Sequence, residues 1–230
     1  MIKILRSDER GKAEHGWLSS RHTFSFADYY NPKRMGFRSL RVINEDWIEA
    51  GQGFGTHPHR DMEIFSYLVS GELAHKDSMG NIRTIKAGEV QAMSAGSGVT
   101  HSEFNPSKTQ NTHLLQIWIM PDKTGGKPSY AEWRQAGVST GLSLVAAPSA
   151  SENVLPIKQD AMFYLGKLEA NQTLDYSIAL GRGVWLQLVS GSLEIEDQHL
   201  EAGDAIEVEE QATLQIEAKT ESSFLLFDLG

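Results

Sequence analysis

The chain has 230 residues, 40% of them apolar and 22% charged, with a formal net charge of -9. That length supports a sizeable buried core, in one large domain or two small ones. The acidic balance, with no basic run beyond isolated pairs, excludes a general phosphate-backbone footprint, so direct nucleic-acid binding is not expected. Cysteine is absent, which excludes disulfides and thiolate zinc sites and fits a cytoplasmic protein.

The chain opens with charges at Lys3, Arg6, Asp8, Glu9 and Arg10, where a signal peptide would carry its apolar centre. Short runs rich in Val, Ile, Phe, Tyr and Trp then alternate with Gly, Asn, Asp and Pro. They predict strands over Phe37–Asn44, Asp61–Ser70, Asn81–Ile85, Glu89–Ser94 and His113–Ile119. Further strands are predicted over Met162–Leu168, Leu174–Leu180, Val184–Val189, Ser192–Ile195 and Ser222–Leu229. Helical periodicity is confined to a turn or two near Tyr130–Gln135. The longest apolar stretches, such as Leu114–Met120, are too short to span a bilayer, so no membrane association is expected. Many short strands with tight turns argue for an all-β sandwich or barrel.

An internal repeat divides the chain. Val69-Ser-Gly71-Glu-Leu73, followed by Ala87-Gly88-Glu89, is echoed by Val189-Ser-Gly191-Ser-Leu193, followed by Ala202-Gly203-Asp204. A strand, a glycine turn, a strand and an Ala-Gly-acid turn form a recurring unit of a double-stranded β-helix. Between the copies, Thr124–Asn153 is rich in Gly, Ser, Ala and Pro and reads as a connection. The expected organisation is an N-terminal domain over 1–125, a linker over 126–150 and a C-terminal domain over 151–230.

The chemistry concentrates in two pairs spaced i, i+2, His57-x-His59 and His101-x-Glu103. On strands that spacing points both members of a pair to one face, so two neighbouring strands would converge three imidazoles and a carboxylate on one point. His15, His22, His75, His113 and His199 lack such pairing and read as surface or hydrogen-bonded core residues. Gly51-x-Gly53-x-Gly55 leads into no helix and has no Walker lysine, so it reads as backbone slack at a strand entrance. Trp17, Phe24, Phe26, Phe37 and Trp118 read as core or inter-domain packing, with some placed to line a ligand cavity.

Gly51 followed by His57-x-His59-x-x-x-Glu63 resembles the first cupin motif, and Gly98-x-x-His101-x-x-x-Asn105 resembles the end of the second. Two departures are visible: the closing glycine of the first motif comes one residue late, at Gly71, and Gly96 stands where the second has proline. His57-Pro-His59-Arg-Asp-Met-Glu63, Met93 through Glu103, and Leu115-Gln-Ile-Trp118 are similar to the pirin family. His22-Thr-Phe-Ser-Phe26 through Met35–Asn44 resembles its bacterial pirin-like quercetinases in particular.

The resemblance implies an all-β bicupin, two double-stranded β-helix (jelly-roll) barrels, with one metal in the N-terminal barrel. It implies His57, His59, His101 and Glu103 as ligands. The general cupin pattern instead offers Glu63 as the fourth ligand, and strand parity allows either. Glu103 is taken as ligand and general base, with Glu63 behind the ligands or as the alternative base. Glu63, Asp61 and Asn105 are candidate partners for the outer imidazole nitrogens. Such a donor set suits Fe(II), Mn, Co, Ni, Cu or Zn, and the resemblance puts iron first. The counterparts of the histidines in the second half, near Ser177, Ala179, Gln215 and Ile216, are not histidines, so the C-terminal barrel is expected to be metal-free.

The activity implied is that of a quercetin 2,3-dioxygenase, with a small aromatic substrate and dioxygen as partners. The alternative is a non-enzymatic, metal-dependent regulatory protein with a protein partner. Two barrels in one chain mimic a cupin dimer, so a monomer is expected.

Overall fold

The computed structural model describes residues 1–134 and 140–230. Its N-terminal half contains β1 (Ile2–Leu5), β2 (Gly11–Glu14), β3 (Leu18–His22), β4 (Leu40–Ile48), β5 (Gly53–Ser70), β6 (Glu72–Asp77), β7 (Ile82–Lys86), β8 (Val90–Phe104), β9 (Thr112–Ile119) and β10 (Ser129–Trp133). The C-terminal half contains β11 (Gly141–Ala147), β12 (Leu155–Pro156), β13 (Ala161–Leu168), β14 (Thr173–Ser177), β15 (Gly183–Ser190), β16 (Ser192–Ile195), β17 (Gln198–Glu201), β18 (Ala205–Val208), β19 (Thr213–Ala218) and β20 (Ser222–Leu229). A single 3-10 turn, Ser7–Glu9, is the only helical element among the described residues. The helical turn expected near Tyr130–Gln135 is not formed. Ser129–Trp133 is instead an extended strand paired to β8, and Gln135 lies outside the described residues.

The fold is an all-β bicupin. One sheet runs β2-β3-β4-β9-β5-β8-β6-β7, with β10 added to β8. A second runs β1-β18-β15-β20-β13-β11-β12, and a third runs β14-β19-β16-β17. The first strand of the chain therefore belongs to the sheet of the second half, pairing Ile2–Leu5 with Val208–Ala205.

The repeat seen in the sequence is reproduced bond for bond. Gly71 and Gly191 turn their strands with φ of 80° and 82°, and Gly88 and Gly203 follow with 83° and 88°. These are left-handed conformations that glycine adopts without steric cost. Gly88 then donates to the Leu68 carbonyl at 2.8 Å and Leu68 to Glu89 at 3.1 Å; Gly203 donates to Leu188 and Leu188 to Asp204, both at 2.9 Å.

The two halves share a core. Phe65, Tyr67 and Ile117 pack into one buried cluster with Phe163, Trp185 and Phe227. The Phe65 and Phe163 rings meet at 5.6 Å, and Phe163 stacks on Phe227 at 4.7 Å. Phe24 and Phe37 pack against Trp185 at 4.9 and 5.8 Å, so these two aromatics serve contact between the halves. The interior of the second barrel is apolar where the first carries histidines. Leu174 and Tyr176 on β14 pack with Leu214 and Ile216 on β19.

Candidate metal centre and its cavity

Gly53 sets the approach of β5 to β8. A Cβ there would lie 2.2 Å from the Glu103 carbonyl oxygen and 2.6 Å from the Phe104 Cα, so only glycine admits this spacing. Four residues on, His57 sits directly opposite His101 in the β5–β8 register. The rings of His57, His59 and His101 lie 4.5 to 4.8 Å apart, and one ring nitrogen from each falls within 4.8 Å of the others.

Each imidazole is held differently. His57 Nδ1 hydrogen-bonds the Gly55 carbonyl at 2.8 Å, which selects the tautomer with Nε2 free. His59 stands edge-on to Trp118 at 4.9 Å. His101 is 1% exposed, and neither of its ring nitrogens has a hydrogen-bond partner. Burial, reinforced by His101 and His57, pushes His59 down to about 4. Burial likewise pushes His101 down to about 3, with His57 and His75 reinforcing it. Both are therefore neutral near pH 7, the state in which imidazole donates a lone pair to a metal. A fully buried imidazole with two unsatisfied nitrogens is costly unless something fills the place between the rings. The residues fit a metal ion.

Glu103 is 2% exposed. Its Oε1 accepts from the Gln91 amide and from Ser66 Oγ at 3.3 Å, and its Oε2 accepts from Gln116 Nε2 at 3.2 Å. The carboxylate falls within 4.8 Å of His101 and of His75, in a second group that does not include His57 or His59. His75 is a hydrogen-bonded core residue, as one of the two readings of the sequence has it, with Nε2 on Asp77 Oδ2 at 3.1 Å and its ring stacked on Tyr130 at 4.6 Å. What that reading leaves out is its place beside His101 and Glu103. The signal was present, since His75-x-Asp77 has the same period-two spacing as the other pairs.

Glu63 does not share the histidine face. The β5–β8 register shifts between His59 and Asp61, where Asp61 adopts φ of 67°. This bulge reverses the alternation. Met62 and Ile64 pack inward with Trp118, whereas Glu63 and Phe65 line a small pocket with Ala92, Ser94 and Pro156 from β8 and the second half. Glu63 Oε2 accepts from Ser94 Oγ at 2.8 Å and from the Lys158 amide at 3.4 Å, and burial raises its pKa. Asp61 and Asn105, the other candidate partners, are engaged elsewhere. Asp61 accepts from the Gly125 amide at 2.6 Å, and Asn105 Nδ2 ties the carbonyls of Ile48, Glu49 and Gln110.

His57 and His59 open onto a cavity of about 870 Å³. Its aromatic walls include Trp17, Phe26, Phe54 and Trp118, so three of the aromatics singled out in the sequence line it. The Phe26 and Trp118 rings meet edge-on at 5.4 Å, and Trp17 and Phe54 at 5.2 Å.

A double jelly roll with three imidazoles gathered inside one barrel defines a cupin of the metal-binding kind. A pirin family model matches residues 5–119, and a model described as the quercetinase C-terminal cupin domain matches residues 144–229. Quercetin 2,3-dioxygenase of Escherichia coli K12 is 48% identical over 229 residues, covering 100% of this chain and 99% of that protein. A pirin-like protein of Caulobacter vibrioides is 38% identical, covering 99% of each. The crystal structure of the Escherichia coli bacterial pirin YhhW in complex with nickel(II) superposes with a TM-score of 0.96 at 47% identity, covering 100% of this chain and 99% of that one. The chain belongs to the pirin family.

Proposed function

We propose that this protein is a metal-dependent dioxygenase that opens the central ring of flavonols such as quercetin and releases carbon monoxide. The observation that carries the reading is the convergence of three imidazoles within 4.8 Å, two of which, His57 and His59, open onto an aromatic-walled cavity. The relatives named quercetin 2,3-dioxygenase supply the reaction class.

His57, His59, His101 and Glu103 are the residues we assign to one divalent transition metal, with Fe(II) first. The nickel held by the Escherichia coli relative fits a donor set without sulfur, which does not force one ion. The bound ion would supply Lewis acidity toward the flavonol 3-hydroxyl and redox access to dioxygen. His57 holds its orientation through Gly55, and Trp118 braces the ring of His59. Trp118 and Phe26, in edge-on contact with each other, form a continuous aromatic wall of the cavity against which a flat ring system can pack. We assign the 3-hydroxyl proton to Glu103 Oε2, which carries a single hydrogen bond, from Gln116. Glu63 is turned away by the bulge, which favours Glu103 as the base. In balance, flavonol and dioxygen give the ring-opened ester and carbon monoxide.

The regulatory alternative calls for an exposed recognition patch beside the metal, whereas an enzyme calls for a cavity that reaches it. The cavity at His57 and His59 favours the enzyme. The test is quercetin consumption with carbon monoxide detection, using anaerobically iron-loaded protein beside His57→Ala. Metal-dependent, stoichiometric carbon monoxide supports the reading; a firmly bound metal with no carbon monoxide overturns it.

A further inference from the structure

One wall of the cavity is polar in a way the metal centre does not use. On β3 and β4, Ser20 pairs directly with Asp46, and His22 with Asn44. All four side chains line the cavity, although each residue is only 2 to 4% exposed. Adjacent antiparallel strands with aligned i, i+2 positions must present such a quartet on one face. Across the sheet, Gln116 on β9 stands opposite Asn44 and continues the row towards Glu103.

The quartet is not satisfied internally. Ser20 Oγ donates to Asp46 Oδ1, the one hydrogen bond at that carboxyl among the described residues. Asn44 Oδ1 and His22 Nδ1 have no hydrogen-bond partner. A purely structural network would close on itself, because a buried polar atom left unpaired costs about 1–3 kcal/mol. Four polar groups beside a cavity, three of them with spare capacity, have the pattern of a subsite for hydroxyl groups. The aromatic residues beside them, Phe26 packed edge-on to His22 at 5.4 Å, shape the same wall for a ring that carries those hydroxyls.

We propose that Asp46, with Ser20, Asn44 and His22, forms a second subsite that binds phenolic hydroxyls of the substrate away from the metal, Asp46 being the principal acceptor. The assignment rests on the flavonol reading of the cavity and deepens it. It predicts selection for flavonols hydroxylated on the ring remote from the 3-hydroxyl. Burial pushes the Asp46 carboxyl up to about 7, which makes it a stronger proton acceptor than a surface carboxylate. Burial pushes His22 down, keeping it a neutral imidazole with one donor and one acceptor. Sites built to hydrogen-bond a substrate hydroxyl discriminate sharply against analogues that lack it, because their own polar groups are then stranded.

The test is equilibrium binding of quercetin and of unsubstituted 3-hydroxyflavone to metal-loaded protein, read by quenching of tryptophan fluorescence. The wild-type protein is expected to prefer quercetin by about tenfold or more, the size of one charge-assisted hydrogen bond. Asp46→Ala should reduce that preference to about twofold or less, and the isosteric Asp46→Asn to an intermediate value. If the alanine variant does not fold, the asparagine variant alone decides. A wild-type protein without preference, or variants that keep it in full, overturns the subsite. Carbon monoxide release is scored separately. A preference that depends on Asp46 without carbon monoxide sinks the dioxygenase reading and leaves the subsite; carbon monoxide without a preference does the reverse.

Discussion

His57 reaches its position through a short local chain of causes. Gly53 admits β8, the strand pairs His57 with His101, and the Gly55 carbonyl accepts the Nδ1 hydrogen bond, which leaves Nε2 free. His57→Ala should therefore weaken metal affinity by more than the roughly 10–100-fold typical of losing an outer partner, measured as metal retained after dialysis. His57 is only half-buried, so the melting temperature of the metal-free protein should barely move. Asp46 gives a pH signature of its own. Its folded pKa, about 7, lies above the ordinary carboxylate value, so the folded state holds a proton that the unfolded state has released between about pH 4 and 7. Stability contributed by that proton is present below about pH 4 and is lost as pH rises to about 7. Asp46→Asn has no such loss, so its stability relative to wild type should climb over that window and level off above it. Parallel melting-temperature curves across the window would contradict this. The metal pairs were legible in the sequence because period-two spacing is local. His75-x-Asp77, Ser20-x-His22 and Asn44-x-Asp46 obey the same rule, but only the sheet order reveals that they face the same barrel.

At the scale of elements, the bulge in β5 decides which carboxylate can join the histidines. Parity counted along the sequence left Glu63 and Glu103 equivalent, because a one-residue bulge has no reliable local signature. Its marker is Asp61, a non-glycine residue at φ 67° whose carboxylate holds Gly125. The long strands were each legible only in part. Asp61–Ser70 and Glu89–Ser94 were read as strands, while the polar segments from Gly53 to Arg60 and from Ala95 to Phe104 lacked the apolar alternation that marks one. Polar residues in a strand signal here a site rather than a loop. Gly53→Ala should force β5 from β8, destabilising the protein by about 1–3 kcal/mol and lowering metal affinity with it. Gly55→Ala, with nothing within 4 Å of the added carbon, serves as the matched control. Melting curves and metal titrations of the two variants check the contrast.

Across the whole molecule, the repeat was legible because glycine turns are punctuation, and the tight echo at Gly71 and Gly191 survives in the backbone angles. The exchange of β1 into the second sheet was not legible. Ile2–Leu5 is short, and its partner lies about two hundred residues away. The shared cluster around Phe65, Phe163 and Phe227 ties the halves through apolar packing rather than a polar seam. The whole chain should consequently unfold in one cooperative transition, and Phe163→Ala should lower stability by about 3–5 kcal/mol without splitting it. Two resolved transitions in calorimetry would contradict the shared core.

The metal's position tests the functional reading most directly. Crystals of protein loaded with iron or nickel can be measured for anomalous scattering at the metal edge. The expected result is one peak at the cavity floor, about 2.0–2.2 Å from a ring nitrogen of His57, His59 and His101 and from a Glu103 oxygen. A peak seated among His75, His101 and Glu103, closed off from the cavity, would contradict it, as would protein that retains no metal.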